Sequence, residues 1–491
     1  MASWDITMDL EKKIDHAFTA NEKLFLKSAC CNESENNNTA AVLQWIKEQN
    51  ENVEVQVKRI AFDKMKHWGF DKRIGSLRHD SGGFFSIDGI RVATNWGGGA
   101  SWDQPIINQP EIGYLGFIVK EFNGVLHFLM QAKIEPGNVN YVQLSPTIQA
   151  TRSNYTQVHK GSKPLYLDHF QHVTPKDVLL DQLQSEQGSR FLRKRNRNII
   201  IRVVGDIPIH DNFIWLTLGH IKELMRYDNL INMDARTVIS GIYYGEFNGE
   251  ATDLLGFFMN RDKNTGMSSN DFLKSALSSA GAENSVGNII HFLTDIKSKY
   301  DLFVDKIPLN MVKDWSVSSD EMFRSDGKHF KVIGVDVTIS NREVVSWQQP
   351  MIQPTQPGIF AFVCKKINGV IHFIVQAKLE CGNSDIIELA PTVQCHSGDL
   401  RATVSQSVPF LAYVMKAPEG HILFDTLQSE EGGRFYREQN RNVIVMADDT
   451  FPNQLPEQYI WMTLNQLTFF NRFNNYLNIQ ARNLISAISF T

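Results

Sequence analysis

Hydrophobic residues recur with a period of two between Val125 and Glu135, a spacing that predicts a β-strand. Residues two positions apart lie on the same face of a strand, so both faces can be assigned. One face carries Leu126, Phe128, Met130, Ala132 and Ile134, and the other carries His127, Leu129, Gln131, Lys133 and Glu135. A partner strand is predicted over residues 114–120, with a tight hairpin turn at 122–124 and a second turn at 136–138.

The same pattern returns later in the chain. Residues 102–149 align with residues 347–394 at a constant offset of 245 positions, and FNGVLHFLMQAKIEPGN corresponds to INGVIHFIVQAKLECGN. The match continues downstream and, more weakly, upstream. It therefore predicts two tandem domains over residues 40–245 and 287–491. Residues 1–39 form an N-terminal extension, and residues 246–286 are expected to form an exposed connector.

The remaining elements of one repeat mix strands and helices. Short strands are expected at 141–144 and 199–204, while 178–183 and 221–242 have the spacing of helices. Because strands and helices do not alternate strictly, the pattern predicts an α+β sandwich around a mixed sheet in each repeat.

Composition narrows the function classes. The chain is 42% hydrophobic and 21% charged, with a formal net charge of −5, which argues against binding to nucleic acid or anionic membranes. No apolar run approaches the ~18 residues of a membrane span, and the N-terminus lacks a signal-peptide core. The five cysteines form no CxxC pair. We therefore expect a cytoplasmic protein with no nucleic-acid or membrane partner.

Several common catalytic motifs are missing from the sequence. It contains no GxGxxG dinucleotide site, no phosphate-binding P-loop, no HExxH or paired CxxC metal motif, and no GxSxG nucleophile elbow. We therefore expect neither a cofactor nor a bound metal.

The first candidate site is the strand face with Gln131, Lys133 and Glu135. A cation and a carboxylate two residues apart can reach one ligand, as a general base and as a stabiliser of developing negative charge. The alternative is an ion pair on an exposed edge strand, which contributes little to stability. Both repeats keep H-x3-Q-x-K-x-E followed by x-G-N while their apolar neighbours change, and this favours function.

The second candidate is the motif S-E-x-G-x-R-F with the later N-R-N. Arg190 with Arg197, and Arg434 with Arg441, could bind a diphosphate through bidentate hydrogen bonds. A solvated helix end with salt bridges between domains explains the same residues equally well.

The third candidate is Trp102 with the Gln104-Pro105 turn, which returns as Trp347 with Gln349. A tryptophan side chain could stack on a nucleotide base, although core packing is the more common role for a single tryptophan.

Taken together, the strings WxQPxxxQ, HFLMQAKxEPGN, LSPTIQATxSNY and LLDxLQSEQGSRFxxKxNRN resemble the NDP-hexose 2,3-dehydratase family over nearly the whole chain. The resemblance implies a homodimer whose subunits each contain two Nudix-like α/β/α sandwich domains. It implies a dTDP-4-keto-6-deoxy-hexose substrate that loses its C2 hydroxyl to give a 3,4-diketo-2,6-dideoxy sugar nucleotide. A downstream 3-ketoreductase or aminotransferase would use this product. One of the two pockets would be active and the other a remnant.

Under this resemblance the catalytic residues are Lys133, Glu135 and Tyr155, with Glu135 as the base, Lys133 at the ketone oxygen and Tyr155 as acid or ketone donor. The substrate-binding residues would be Trp102, Gln104, Gln131, Asn138, Gln149, Arg152, Glu186, Arg190 and Arg197. The second pocket would contain Trp347, Gln349, Lys378, Glu380, Asn383, Gln394, Arg434 and Arg441.

The first repeat is expected to hold the active pocket. After Gln149 it reads ATRSNY, whereas the second repeat reads CHSGDL and lacks the arginine and tyrosine that correspond to Arg152 and Tyr155. His396 could replace the tyrosine as an acid, and neutral loop drift would also explain the difference.

Two other functions stay open. A Nudix-type sugar-nucleotide hydrolase would need a row of carboxylates that LQSEQGSRF lacks, since that row binds the divalent metals of diphosphate hydrolysis. A non-catalytic sugar-nucleotide-binding protein would have remnant pockets in both repeats.

Overall fold

The structure is a computed structural model that describes residues 12–34, 37–152, 163–247, 254, 267–340, 344–395 and 408–490. Its helices are α1 (Ala20–Ala29), α2 (Thr39–Glu51), α3 (Leu167–Gln171), α4 (Leu218–Leu224), α5 (Met233–Ser240), α6 (Met267–Leu277), α7 (Val286–Lys299), α8 (Leu411–Met415), α9 (Leu464–Phe470) and α10 (Ile479–Ser486).

The strands follow the same order in each repeat. Those of the first are β1 (Val55–Ile60), β2 (Trp68–Asp71), β3 (Ser76–His79), β4 (Ser86–Thr94), β5 (Ala100–Asn108), β6 (Gly113–Phe122), β7 (Val125–Ile134), β8 (Val142–Ser145), β9 (Ile148–Ala150), β10 (Val178–Ser185), β11 (Arg195–Arg202) and β12 (Phe213–Thr217). Those of the second are β13 (Leu302–Ile307), β14 (Trp315–Val317), β15 (Glu321–Arg324), β16 (Phe330–Ile339), β17 (Ser346–Pro354), β18 (Ile359–Ile367), β19 (Val370–Leu379), β20 (Ile387–Pro391), β21 (Val393–Cys395), β22 (Ile422–Ser429), β23 (Gln439–Met446) and β24 (Tyr459–Thr463).

Each repeat builds a mixed seven-stranded sheet from its described residues. The first has the order β10-β11-β6-β7-β12, with β8 on β7 and β9 on β6, and the second repeats this arrangement with β22-β23-β18-β19-β24, β20 and β21. Only the β6–β11 and β18–β23 pairs of these sheets are parallel. The α+β prediction with a mixed sheet is therefore confirmed.

The central hairpin of each sheet has the predicted turn. Asn123 and Gly124 both adopt positive φ angles, 48° and 75°, and Asn368 and Gly369 adopt 52° and 74°. This conformation suits an Asn-Gly hairpin turn, because its twist matches that of the two strands. The predicted apolar face of β7 is also confirmed: Leu126, Phe128, Met130, Ala132 and Ile134 all lie in the largest core cluster.

Two smaller five-stranded sheets exchange one strand between the repeats. β1 of the first repeat pairs antiparallel with β16 of the second, with Val57 opposite Val337. β13 of the second repeat pairs with β4 of the first in the same way, with Val304 opposite Val92. Each repeat therefore completes a sheet of the other.

Helix pairs also join the repeats at the centre. Helices α5 and α10 pack together, and Arg236 on α5 donates to the carbonyl oxygen of Ser429. The corresponding Arg482 on α10 donates to the carbonyl oxygen of Ser185. Both arginine side chains are buried, so these bonds satisfy groups that water cannot reach.

The helix predicted at 178–183 is wrong, because these residues form the edge strand β10. β10 pairs antiparallel with β11, with a bulge near its start. A short run with three apolar residues fits either a buried strand or a helix turn, and here the pairing partner decides. The helical stretch predicted at 221–242 is two helices, α4 and α5, because Asn232 caps a new helix by accepting a hydrogen bond from the Ala235 N–H.

Part of the predicted connector is also buried, contrary to its expected exposure. In α6 the Ser275 hydroxyl donates to the carbonyl oxygen of Ile371, at 2.6 Å. In α1, within the N-terminal extension, Ser28 makes the same bond to the carbonyl oxygen of Leu126. These helices are equivalent elements that cover the two central hairpins. Within the described part of the connector, the mostly exposed stretch is the one after Ser278.

Candidate active site

The x-G-N turn of each repeat packs against the S-E-x-G-x-R-F turn of the other. The Gly137 N–H donates to the Gly432 carbonyl oxygen at 2.8 Å, and the Gly382 N–H donates to the Gly188 carbonyl oxygen at 2.6 Å. A Cβ atom at Gly137 would lie 1.7 Å from the Phe435 carbonyl oxygen, so this approach requires glycine. The x-G-N and S-E-x-G-x-R-F motifs, which both repeats contain, thus meet across the repeat boundary.

We call the surroundings of Glu135 the first site and those of Glu380 the second site. In the first site Gln149 donates to Glu135 Oε1 at 2.7 Å, and Asn232 donates to Gln149 at 3.1 Å. Asn232 is also the N-cap of α5. The hydrogen bonds that connect Glu135, Gln149 and Asn232 are therefore anchored at the N-terminus of this helix. Glu135 is 4% exposed, so its carboxylate is held in one orientation inside the protein.

The second site repeats this chain of hydrogen bonds. Gln394 donates to Glu380 at 2.9 Å, and Asn478, the N-cap of α10, donates to Gln394 at 2.7 Å. The sequence predictions included both glutamines. They omitted Asn232 and Asn478, although these residues occupy matching places in INMDAR and LNIQAR.

Acidic residues from both repeats converge on the first site. A Cβ atom at Gly433 would lie 2.8 Å from Glu431 Oε1 and 3.6 Å from Glu135 Oε1, so both carboxylates border one small space. Burial, reinforced by Glu186 and Glu135, raises the pKa of Glu431 to about 8 despite the nearby Arg434. Burial and the charge of Glu431 also raise the pKa of Asp234 well above its usual range.

Lys133 adds a cation to this group from the first repeat. It lies on β7, half-buried, and its charge opposes the rise in the pKa of Asp234. Lys378 is half-buried at the same place on β19, with Glu388 opposite it on β20. The structure therefore brings Lys133 and Glu135 together with Asp234, which the sequence predictions did not include.

The motif arginines Arg190 and Arg434 lie at the boundary between the repeats. Arg190 is 4% exposed, and its guanidinium carbon lies 4.3 Å from the centre of the Phe330 ring. Burial lowers its pKa, against the charges of Glu438 and Glu380. Arg434 stacks in the same way on Phe85.

Arg197 and Arg441 have different partners. Arg197 holds Asp181 with two hydrogen bonds of 2.7 and 2.6 Å, and Arg441 holds Asp425 at 2.8 and 2.5 Å. Both pairs are partly exposed ion pairs within one repeat. A diphosphate held by Arg197 would have to compete with Asp181.

The tryptophan motifs support the arginine turns. Trp102 donates to Gln104 at 3.0 Å, and Gln104 donates to the Ser189 carbonyl oxygen. In the second repeat Trp347 donates to Gln349, which donates to the Gly433 carbonyl oxygen at 2.7 Å. Since Gly433 borders Glu135, the residues Trp347, Gln349 and Arg434 belong to the first site. The residues Trp102, Gln104 and Arg190 lie beside the second.

The remaining predicted residues have mixed positions. Asn138 is buried and donates to the Tyr141 carbonyl oxygen, and Asn383 is buried at the equivalent turn. Gln131 is half-buried on β7. Arg152 follows β9 and is exposed, whereas Tyr155 and His396 lie outside the described residues.

In the described part of the chain, no three or more His, Cys, Asp or Glu side chains come together in a way that could hold a metal ion. No helix there is long and apolar enough to cross a membrane.

Two intertwined repeats, each with a buried and oriented carboxylate, define an internally duplicated α+β protein. A sequence model of the NDP-hexose 2,3-dehydratases matches residues 39–242 and 286–488, and the chain belongs to this family.

Three characterised relatives are each named dTDP-4-dehydro-6-deoxy-alpha-D-glucopyranose 2,3-dehydratase. The chain is 44% identical to the one from Saccharopolyspora spinosa over 88% of its length and 87% of the relative. It is 42% identical to that of Streptomyces violaceoruber (92% and 97%) and 40% identical to that of Amycolatopsis orientalis (92% and 90%). The resemblance noted from the sequence motifs is thereby confirmed.

Proposed function

We propose that this chain removes water from C2 and C3 of a dTDP-4-keto-6-deoxy-hexose to give a 3,4-diketo-2,6-dideoxy sugar nucleotide. The three relatives carry this activity in their names and align along almost the entire chain. The structural observation that carries the proposal is the first site, where the oriented Glu135 carboxylate lies in one cluster with Lys133.

The chemistry needs a base, a stabiliser of negative charge and a proton donor. The C4 ketone makes the proton on C3 acidic, and in this proposal Glu135 removes that proton. The hydrogen bonds from Gln149 to Glu135 and from Asn232 to Gln149 support this role, because they orient the carboxylate. Lys133 stabilises the enolate oxygen. The C2 hydroxyl then leaves as water, and the resulting enol tautomerises to the diketone. Tyr155 is an acid or a donor to the ketone.

Binding of the nucleotide is assigned to the predicted residues of both repeats. Arg152 and the motif arginines would contact the diphosphate, and a tryptophan of the WxQ motif would face the base. Because each site combines residues from both repeats, the nucleotide-binding residues of the first site would include Arg434 and Trp347. Arg190 and Trp102 would contribute to the second site.

The wider assembly follows from family resemblance. Each repeat would have a Nudix-like α/β/α sandwich, two chains would form a homodimer, and a 3-ketoreductase or aminotransferase would consume the unstable product. Size-exclusion chromatography with light scattering tests the dimer directly.

The activity is tested by incubating the chain with dTDP-4-keto-6-deoxyglucose and a ketoreductase that traps the product. Mass spectrometry should find a sugar nucleotide lighter by one water before reduction. Release of dTMP in the presence of magnesium would instead support a hydrolase. Binding of dTDP without either product would support a non-catalytic protein.

A further inference from the structure

Three of the positions at which the first and second sites differ change the acids of the site. The first site has Asp234, Glu431 and Gly433 where the second has Gln480, Gln187 and Ser189. Two carboxyl groups and an open space in one site thus correspond to two amides and a hydroxymethyl group in the other. Neither amide can donate a proton as an acid does.

The hydrogen bond that the Gln187 amide makes in the second site indicates which group lies next to its counterpart, Glu431, in the first site. Gln187 donates to Glu430 across the repeat boundary, and Asn440 donates to the other oxygen of Glu430 at 2.6 Å. In the first site Glu186 receives the matching bond from Asn196 at 2.7 Å, but Glu186 Oε2 has no hydrogen-bond partner among the described residues. Glu186 is 5% exposed, and the residue corresponding to Gln187 is Glu431.

A carboxylate cannot donate to another carboxylate unless one of them keeps its proton. Glu431 lies within the electrostatic reach of Glu186 and Glu135, and Asp234 lies within reach of all three. The orphaned oxygen of Glu186 is therefore a buried acceptor that a protonated neighbour would satisfy. This arrangement stores a proton beside Glu135.

We propose that Glu431, supplied by the second repeat and bordering the same small space as Glu135, donates the proton to the departing C2 hydroxyl in the first site. This inference rests on the proposed function. Glu431 is the accessible member, since it is only half-buried, while Asp234 is 3% exposed.

The step balances with the groups present. Glu135 accepts the C3 proton, the electron pair forms the C2=C3 double bond, and the C2–O bond breaks as Glu431 gives its proton to the hydroxyl. Water leaves, and Glu431 is reprotonated from Glu135 through the site or from solvent. The enol then loses its hydroxyl proton while C2 gains one, which gives the 3,4-diketone.

Burial supports the same assignment. The pKa of Glu431 is raised to about 8, so its proton is present at neutral pH and is lost as the pH rises through that value. The second site has an extra acid of its own, Glu388, but that side chain is fully buried and accepts a hydrogen bond from Ser185 at 2.9 Å. It is closed to a ligand, whereas Glu431 is not.

The test uses variants that install the amide chemistry of the second site in the first. Glu431→Gln should lower kcat by about 100-fold or more, the usual scale for loss of a general acid, with dTDP affinity within about threefold of wild type. Asp234→Asn should keep kcat near the wild-type value and leave the alkaline limb of its pH profile in place, because the charges of Glu186 and Glu135 that raise the pKa of Glu431 remain. A large loss of kcat in this variant would place the proton donor at Asp234 instead. Gln480→Asn, the matched change in the second site, should leave kcat and its pH profile unchanged.

A proton readout that needs no turnover separates this inference from the proposed function. Infrared spectra at pH 7 should show a carboxylic-acid band in the wild type that weakens in Glu431→Gln. Absence of that change, or a Glu431→Gln variant with near-normal kcat, overturns the inference. An infrared change without any water loss from the dTDP-sugar overturns the proposed function and leaves the stored proton standing. Circular dichroism of each variant excludes misfolding.

Discussion

The guanidinium carbon of Arg190 in the first repeat lies 4.3 Å from the centre of the Phe330 ring in the second. The mirrored contact between Arg434 and Phe85 measures 4.1 Å. A guanidinium on an aromatic face makes a cation–π contact, and Arg190 and Arg434 also donate to the carbonyl oxygens of Ser189 and Gly433. These two contacts therefore stabilise the boundary that both sites share.

We expect Arg190→Ala to lower the free energy of unfolding by about 2–4 kcal/mol, because the change removes this contact and leaves nearby carboxylates without a cation. Urea unfolding measures the effect. Arg197→Ala is the matched control, since Arg197 is in a partly exposed ion pair and should cost less than about 1 kcal/mol. Equal losses in both variants would contradict the distinction.

The same variant tests the proposed diphosphate contact. If Arg190 binds phosphate, Arg190→Ala should weaken dTDP binding by about 1.5–3 kcal/mol, the scale of a charge-assisted hydrogen bond. Calorimetry at a temperature where both proteins are folded gives the affinity. An unchanged affinity would restrict Arg190 to a structural role.

Turnover should depend on the first site alone. We expect Lys133→Ala combined with Glu135→Ala to abolish dehydration, because it removes the base and the cation that stabilises the enolate. The matched double variant, Lys378→Ala with Glu380→Ala, should retain it. Initial rates with the reductase trap provide the comparison. Loss of turnover only in the second variant would reverse the assignment of the sites.

Dehydration should also be independent of added metal. Dialysis against EDTA should leave the rate unchanged, because the proposed steps move protons between side chains and need no Lewis acid. The control adds magnesium after dialysis. A rate that falls on dialysis and returns only with a divalent cation would contradict the mechanism.

Stability should respond to pH through Lys222. Burial lowers the pKa of this lysine to about 7, and its ammonium group donates to the Ile488 carbonyl oxygen at 2.6 Å. Above pH 7 the unfolded chain keeps the Lys222 proton while the folded chain releases it. The free energy of unfolding therefore rises by up to about 1.4 kcal/mol per pH unit from this group, until the pH reaches the unfolded pKa.

Lys222→Met should flatten that rise, and urea unfolding at several pH values between 7 and 9 measures it. Lys299→Met is a suitable control, because Lys299 is a surface residue paired with Asp295 and Glu457. A wild-type curve parallel to that of Lys222→Met would show that the buried lysine does not titrate in this range.

Local sequence patterns predicted the centre of each sheet well. The period of two in β7 and the Asn123-Gly124 turn specify a hairpin with little help from the rest of the molecule. The strand β10 was missed because a short apolar run takes its structure from its partner, here β11. Tertiary pairing decides such segments, and a single sequence carries no direct record of it.

The candidate site was predicted in part for a similar reason. Glu135, Lys133 and Gln149 could be found from one repeat, since all three lie in one short stretch of its sequence. Whether Arg434 belongs with Glu135 or with Glu380 could not be found, because two copies of one motif look the same whichever way they pair. Glu431 could have been predicted from the sequence. It replaces Gln187 when the motif LQSEQGSRF of the first repeat is compared with LQSEEGGRF of the second.

The strand exchange bears on the origin of the chain. An ancestor with a single repeat would have had no strand to pair with its equivalent of β4. Its equivalent of β1 would have had no partner strand. A second copy supplies both, so such an ancestor fits a symmetric dimer formed by strand swapping. Fusion of two gene copies would then join the two identical partners into one chain. Each half could mutate separately from that moment, and a Glu431 on one side no longer required a glutamate on the other.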